Sequence, residues 1–216
     1  MNVFKSIRDY LRDFNRPVLS DQQIMKYNHK GLLIEGPLME NQIQPNSIDL
    51  TLGNTYKKLV SNDFVDISRS VGRPAINILN EIKYETGYFT RDRHAREYYI
   101  IQPKEFVLMT SKEILNIPNG ILSFVQGRSS VARISIQTEQ AGLIDAGFRG
   151  NITLEVFNQS EFPIYLYSGM RIAQVYFFKA QHSNRIYGPS KYNKYMNQIG
   201  TTGSKISHDP EIQSLK

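Results

Sequence analysis

The sequence predicts a mainly β protein, a jelly-roll barrel or sandwich carrying a few short helices, and two observations carry that expectation. From "SIDLTLGNTYKKLV" onward, runs alternate apolar with polar residues or are rich in β-branched and aromatic ones: "EYYIIQP", "EFVLMTS", "ILSFVQG", "NITLEVFN", "IYLYSG" and "RIAQVYFF". Period-2 runs of this length form strands with one buried face. Gly, Pro, Asn and Ser punctuate them at short intervals, and many short strands between turn signals argue an antiparallel jelly-roll arrangement. At 216 residues the chain supports one well-buried core, and all-β domains of this size commonly stay undivided.

The elements follow in order. In "MNVFKSIRDYLRDF", Phe4, Ile7, Leu11 and Phe14 recur at helical spacing with Lys5, Arg8, Asp9, Arg12 and Asp13 on the other side, so residues 1–17 form an amphipathic helical extension packed on the body or on a partner subunit. Its charges interrupt any apolar core of the kind a signal peptide needs. Next, "LSDQQIMKYNHKG" offers Ser20 as the N-cap of a short helix that Gly31 closes. The strands then begin. Residues from about 70 to 96 break their rhythm and read as an excursion containing a long loop. Beyond Ala180 the apolar content falls away, leaving an arm that is either a disordered tail or a lid ordering on a ligand.

Composition narrows the partners. No window approaches the ~18 apolar residues of a membrane helix, so the chain is expected not to span a membrane. There is no cysteine, hence no disulfide, thiolate ligand or thiol nucleophile, and cytoplasmic residence fits. The net charge of +6 suits a nucleic acid or a small polyanion. Its densest basic cluster, "RDRHAR" at residues 91–96, is short and reads as a solvated loop. A small polyanionic ligand suits that balance equally well, in which case no nucleic-acid partner is expected.

The common chemistries are mostly missing. His29, His94, His182 and His208 are scattered, so a protein-held zinc is not expected. Neither a GxxxxGK[ST] loop nor a GxGxxG after a strand occurs. Three stretches remain. In "GRSSVAR" (residues 127–133), Ser129 and Ser130 are placed to cap a short helix facing an anion, with Arg128 or Arg133 supplying charge; an ordinary surface turn would look the same. In "AGLIDAGFRGNITLEVF", Asp145 sits in a glycine-rich turn, and on the following strand Ile152, Leu154 and Val156 share one face while Thr153, Glu155 and Phe157 share the other. Taken singly, Glu155 reads as a solvent-facing strand residue and Asp145 as a turn former. In the arm, Lys194 and Gln198 are four apart and share a face if that piece is helical.

Together these stretches resemble a known family, the dCTP deaminases, which share a fold with the trimeric dUTPases. The likeness runs from Val18 to about Ser207 and is carried, in family order, by "LSDQQI", "IQPNSIDLTLGN", "QPKEFVLMTSKEI", "GRSSVAR", "AGLIDAGFRGNITLEVFN", "PIYLYSGMRIAQVYF" and "YGPSKYNKYMNQIG". The resemblance implies a distorted jelly-roll β-barrel of the dUTPase-like type over residues 18–185 and an arm over 186–216 that closes over the active site and has a flexible end. It implies a homotrimer with active sites between neighbours and deamination of dCTP to dUTP and ammonia without a protein-bound metal, Mg²⁺ arriving with the triphosphate. Glu155 maps onto the general base, and Ser129 onto the hydroxyl that positions the attacking water beside the carbonyl of Ala141. Arg133 matches the arginine that organises the glutamate, and Arg128 and Ser130 the phosphate contacts. Asp145 corresponds to the ligand of the deoxyribose 3′-hydroxyl, and Tyr187, Lys194 and Gln198 to arm residues closing over base and phosphates.

One family branch releases dUTP and another cleaves it further to dUMP and diphosphate; "AGLIDAGF" is closer to the second. Upstream, "SIQTEQAG" departs from the family pattern, in which a histidine and a threonine precede the alanine; Thr138 and Gln140 stand there. A dUTP diphosphatase of the same fold would share "GRSS" and the Asp145 turn but lack a glutamate at position 155, since cleaving a phosphoanhydride needs no base at cytosine C4. A non-catalytic deoxynucleotide-binding regulator would have no use for Glu155, Ser129 and Arg133 together.

Overall fold

A computed structural model of the chain describes residues 17–60, 83–139, 142–188, 193–206 and 209–210. The expected N-terminal helix, with Phe4, Ile7, Leu11 and Phe14, lies outside the described residues, as do positions 70–82 of the central excursion.

The first helix, α1 (Asp21–Asn28), starts where expected. Ser20 and Gln23 form a reciprocal capping box, the Gln23 N–H donating to Ser20 Oγ (3.5 Å) and the Ser20 N–H to Gln23 Oε1 (3.1 Å). Gly31 turns the chain away at φ +69°. Thirteen strands follow among the described residues: β1 (Leu33–Glu35), β2 (Ile43–Gln44), β3 (Ser47–Val60), β4 (Lys83–Tyr88), β5 (Thr90–Arg91), β6 (Glu97–Ile101), β7 (Phe106–Asn116), β8 (Ile121–Gly127), β9 (Ile136–Glu139), β10 (Leu143–Ile144), β11 (Arg149–Asn158), β12 (Ile164–Tyr167) and β13 (Arg171–Lys179). A four-residue helix, α2 (Ser129–Ala132), lies between β8 and β9.

One curled antiparallel sheet runs in the order β10, β8, β13, β3, β7, β11, β9, with β1 on β7 and β2 and β4 on β3; a small sheet holds β12, β6 and β5. Strand β3 makes the curl. Its first half pairs with β13 and its second with β4 and β7, the register slipping between Leu52 and Tyr56. At the slip sits Gly53, where a Cβ would collide with the Thr110 side chain, so only glycine lets the two backbones approach there. Alternate residues point into the curl: Ile48, Leu50, Leu52, Met109, Leu154, Val175 and Phe177 are fully buried. Each such side chain contributes about 1.5–3 kcal/mol relative to exposure.

The described part of the excursion, residues 83–96, is more ordered than its composition suggests. Residues 83–88 form β4, whose mostly exposed side chains give no alternation, because it is held by backbone pairing to β3 from Thr55 to Val60. The "RDRHAR" cluster is an exposed turn, with the Asp92 carboxylate accepting from the His94 and Arg96 N–H groups. Among the described residues no helix is long and apolar enough to cross a membrane.

Candidate active site

Strand β11 builds one wall of the site. Its burial alternates as the sequence predicts: Ile152, Leu154 and Val156 are buried and Thr153, Glu155 and Phe157 half-buried. Glu155 and Thr153 face a cavity of about 490 Å³ whose lining is largely apolar, including Leu108, Phe148 and Ile152. A half-buried carboxylate facing such a cavity is placed to exchange a proton with a group bound there.

The glycine-rich turn before β11 supplies a second carboxylate. Asp145, itself exposed, lines the same cavity. Gly147 follows at φ +94°, and a Cβ there would collide with the backbone carbonyl of Tyr187. The arm passes at this point, fixed by the Tyr187 N–H donating to Ala146 O at 2.7 Å, and the Tyr187 ring packs on Phe148 at 5.7 Å. Burial, first of all, pushes the Tyr187 hydroxyl above its ordinary value; its oxygen accepts from the Tyr195 N–H at 2.8 Å.

The described part of the arm crosses the cavity and docks on the sheet. Asn197 N–H donates to Arg149 O, Asn151 N–H to Gln198 O, Thr202 N–H to Thr153 Oγ1 (3.1 Å) and Ser204 N–H to Tyr84 Oη (3.1 Å). Lys194 and Gln198 do not share a helical face: residues 194–197 form a turn, with Asn197 at φ +55°, and Gln198 bridges Gly150 like a strand residue. Pairing with the β11 backbone overrides the local spacing. Gln198 lines the cavity; its Nε2 donates to Asn151 O (2.6 Å), while its buried Oε1 has no hydrogen-bond partner. Lys194 is not among the lining residues, and its ammonium donates to Asp209 Oδ1 at 2.6 Å.

The "GRSSVAR" stretch lies elsewhere, at the end of β8. Ser129 and Ser130 are the first residues of α2 rather than its cap, because Arg128 stays extended (φ −75°, ψ 135°) with its N–H on Ile172 O. Ser129, Ser130 and Arg133 are exposed, and none of them, nor Arg128, lines the cavity. Arg128 is half-buried and sits 3.4 Å from the buried Asp49. Ala141 and Gln140 lie outside the described residues; Thr138 is buried on β9 with its Oγ1 unpaired. Among the described residues no three His, Cys, Asp or Glu side chains gather as a metal cage.

Sequence reasoning missed the residue that seats the arm, Asn151. Its Nδ2 donates to the carbonyls of Ser111 (3.1 Å), Lys112 (3.3 Å) and Glu113 (3.1 Å), and its Oδ1 accepts from the Gly200 N–H at 3.0 Å. A carboxamide is the side chain able to do both at once, and a polar residue opening a run of alternating apolar ones was the available signal.

Comparison with known proteins gives a consistent picture. A family model described as dCTP deaminase-like matches residues 18–180. The chain is 41% identical over 194 residues to the "dCTP deaminase, dUMP-forming" of Sulfurihydrogenibium sp. (strain YO3AOP1), covering 89% of this chain and 98% of that protein. It is 38% identical over 194 residues to the protein of the same name from Persephonella marina, covering 90% and 99%. Among solved structures, the 2′-deoxycytidine 5′-triphosphate deaminase from Agrobacterium tumefaciens superposes with a TM-score of 0.56 at 23% identity, over 76% of this chain and 48% of that one. The chain thus spans about half the length of that structure's chain, and at this identity the likeness is one of fold.

Proposed function

Because the chain belongs to the dCTP deaminase-like family, we propose that it replaces the 4-amino group of dCTP by oxygen, releasing ammonia, and carries the dUTP on to dUMP and diphosphate. The observation that carries this reading is one cavity holding Glu155, Asp145, Tyr187 and Gln198 together. A dUTP diphosphatase would need the sugar and phosphate contacts but no carboxylate aimed at a base. The second step is supported by the relatives, which are named as dUMP-forming.

In this mechanism Glu155 takes a proton from water as the water oxygen attacks C4, giving a tetrahedral intermediate. The C4–N3 electron pair shifts to N3 as the water adds; the same carboxyl then returns its proton to the amino group, which leaves as ammonia, while the proton of the C4 hydroxyl passes to N3 as the carbonyl forms. Ser129 and the Ala141 carbonyl hold the water, and Arg133 steadies the glutamate. Asp145 accepts from the 3′-hydroxyl, selecting a deoxynucleotide. Arg128, Ser130 and Lys194 bind phosphates, Lys194 exchanging its Asp209 partner for the ligand. Tyr187 and Gln198, which line the cavity, close over the base. Mg²⁺ would come with the triphosphate as part of the substrate and would offset phosphate charge there.

Ser129 and Arg133 are exposed on an element that does not line the cavity holding Glu155. This separation supports a homotrimer in which a neighbouring chain brings its "GRSSVAR" segment to the cavity. The test is to incubate the protein with dCTP and Mg²⁺, separate the nucleotides by chromatography, and run Glu155→Gln alongside. dUMP is expected from the wild type, with a loss of at least about 10²-fold in the variant. Untouched dCTP with separately added dUTP hydrolysed would instead establish a diphosphatase, and consumption of neither while one still binds would establish a binding protein.

A further inference from the structure

The phosphate side of the site rests on a charge arrangement beneath Arg128. The Asp49 carboxylate is fully buried, yet two guanidinium groups converge on its Oδ2: Arg171 Nη1 at 3.0 Å and Arg128 Nε at 3.4 Å. Gln44 and Gln174 donate to the same carboxylate at 3.4 and 3.2 Å, and the Tyr176 hydroxyl donates to Gln174 Oε1 at 2.8 Å. Arg171 also donates to Asn41 O at 2.7 Å, and Arg128 Nη1 to Arg171 O at 3.3 Å.

Two cations against one carboxylate leave a net charge of about +1 in a partly desolvated place, an arrangement that is costly unless an anion completes it. The two arginines are not equivalent. Each guanidinium also donates to one backbone carbonyl, but Arg171 has the shorter contact with the carboxylate, so it is the one that neutralises Asp49. Arg128 is held more loosely by its Nε edge, next to the exposed Ser129 and Ser130. A guanidinium anchored by one edge is fixed in direction while keeping donors for a second acceptor.

We propose that Asp49 is a positioning residue for phosphate binding: it fixes Arg128 in direction while Arg171 cancels its charge, so that the uncompensated positive charge is presented by Arg128 to the triphosphate. This rests on the assignment of Arg128 as a phosphate contact. Arg171 thereby acquires a role that its place at the start of β13 does not suggest.

The test measures kcat and KM for dCTP, and calorimetric binding of inorganic tripolyphosphate, in the wild type, Asp49→Asn, Arg128→Ala and the double variant. Asp49→Asn is expected to raise KM about tenfold or more with kcat within about threefold, and to weaken tripolyphosphate binding by a similar factor. In the Arg128→Ala background it should add less than about twofold, because both changes remove one interaction. A fall in kcat with KM unchanged, or additive effects, overturns the proposal and leaves Asp49 a structural residue. Arg171→Gln, at a partly exposed position, covers the case of a misfolded Asp49 variant: it should raise KM likewise by drawing Arg128 onto Asp49, and an unchanged KM refutes the idea. If dCTP is not consumed but tripolyphosphate binding still depends on Asp49, the deaminase reading fails while this one stands.

Discussion

Replacing Gly147 by alanine is expected to release the arm from the cavity. At φ +94° a residue with a Cβ costs about 1–2 kcal/mol. The added methyl would also collide with Tyr187 O and lie 3.0 Å from Ile186 Cβ and 3.1 Å from Tyr187 N. Neither chain yields freely, since Gly147 N–H donates to Ile117 O and Tyr187 N–H to Ala146 O, each at 2.7 Å. Giving up the second bond costs about 1 kcal/mol more. The described part of the arm is joined to the body by hydrogen bonds and by the half-buried Tyr187 and Tyr195 rings at the margin of the core, with no fully buried large side chain of its own, so it leaves before the barrel unfolds. A loss of about 2 kcal/mol in docking lowers the docking equilibrium constant about 30-fold, and KM for dCTP rises by up to that factor. The backbone strain, felt by the whole fold, lowers the melting temperature by about 2–8 °C. Steady-state kinetics, thermal melting and timed trypsin digestion at Lys194 and Lys205 read the three effects separately. Unchanged KM together with unchanged protection of those lysines would show that the arm does not cross Gly147 in solution.

Asn151→Asp turns an amide donor shared by three carbonyls into a buried carboxylate facing them, so stability should fall by about 3 kcal/mol or more, read as a lowered urea midpoint. At high pH, burial holds the hydroxyls of Tyr187, Tyr99 and Tyr56 above their ordinary values, with Glu105 adding to the effect at Tyr99 and Glu85 at Tyr56. The unfolded chain gives up these protons from about pH 10 while the folded chain keeps them. Their contribution is therefore intact below about pH 10 and is lost as pH climbs through the folded values, so the urea midpoint should drop there, with tyrosinate absorbance lagging that of the unfolded protein. Chelation by EDTA should stop turnover by stripping Mg²⁺ from dCTP, fresh Mg²⁺ should restore it, and metal analysis of the protein should find zinc well below one per chain.

What the sequence makes legible depends on how far apart the partners are. The Ser20–Gln23 capping box spans three residues and the β11 alternation two, so local rules suffice for both. Glu155 and Asp145 are likewise brought to one cavity by a turn and the strand that follows it. The arm is another matter. Its hydrogen bonds reach from Gln198 to Asn151, from Thr201 to Thr55 and from Ser204 to Tyr84, and no window of sequence contains both ends. Helical spacing at Lys194 and Gln198 is consequently a poor guide, because a free β11 backbone captures Gln198 as a strand partner. The strand β4 escapes notice for a related reason: "KYETGY" has no apolar alternation to read, and its order comes from the exposed edge of β3.

A site partitioned between chains, as proposed above, would make a prediction that single-chain catalysis cannot imitate. Glu155 lines the cavity, whereas Ser129 stands on α2 outside it. If each working site combines Glu155 of one chain with Ser129 of its neighbour, Glu155→Gln and Ser129→Ala are each inactive alone but repair one another in mixed assemblies. After unfolding and refolding an equal mixture, random assortment gives about a quarter of the sites an intact Glu155 from one parent and an intact Ser129 from the other. Deamination should return at about that fraction of the wild-type rate. A site built within one chain always carries its own defect, so a refolded mixture as inactive as its parents would assign both residues to the same subunit and remove the reason for a trimer.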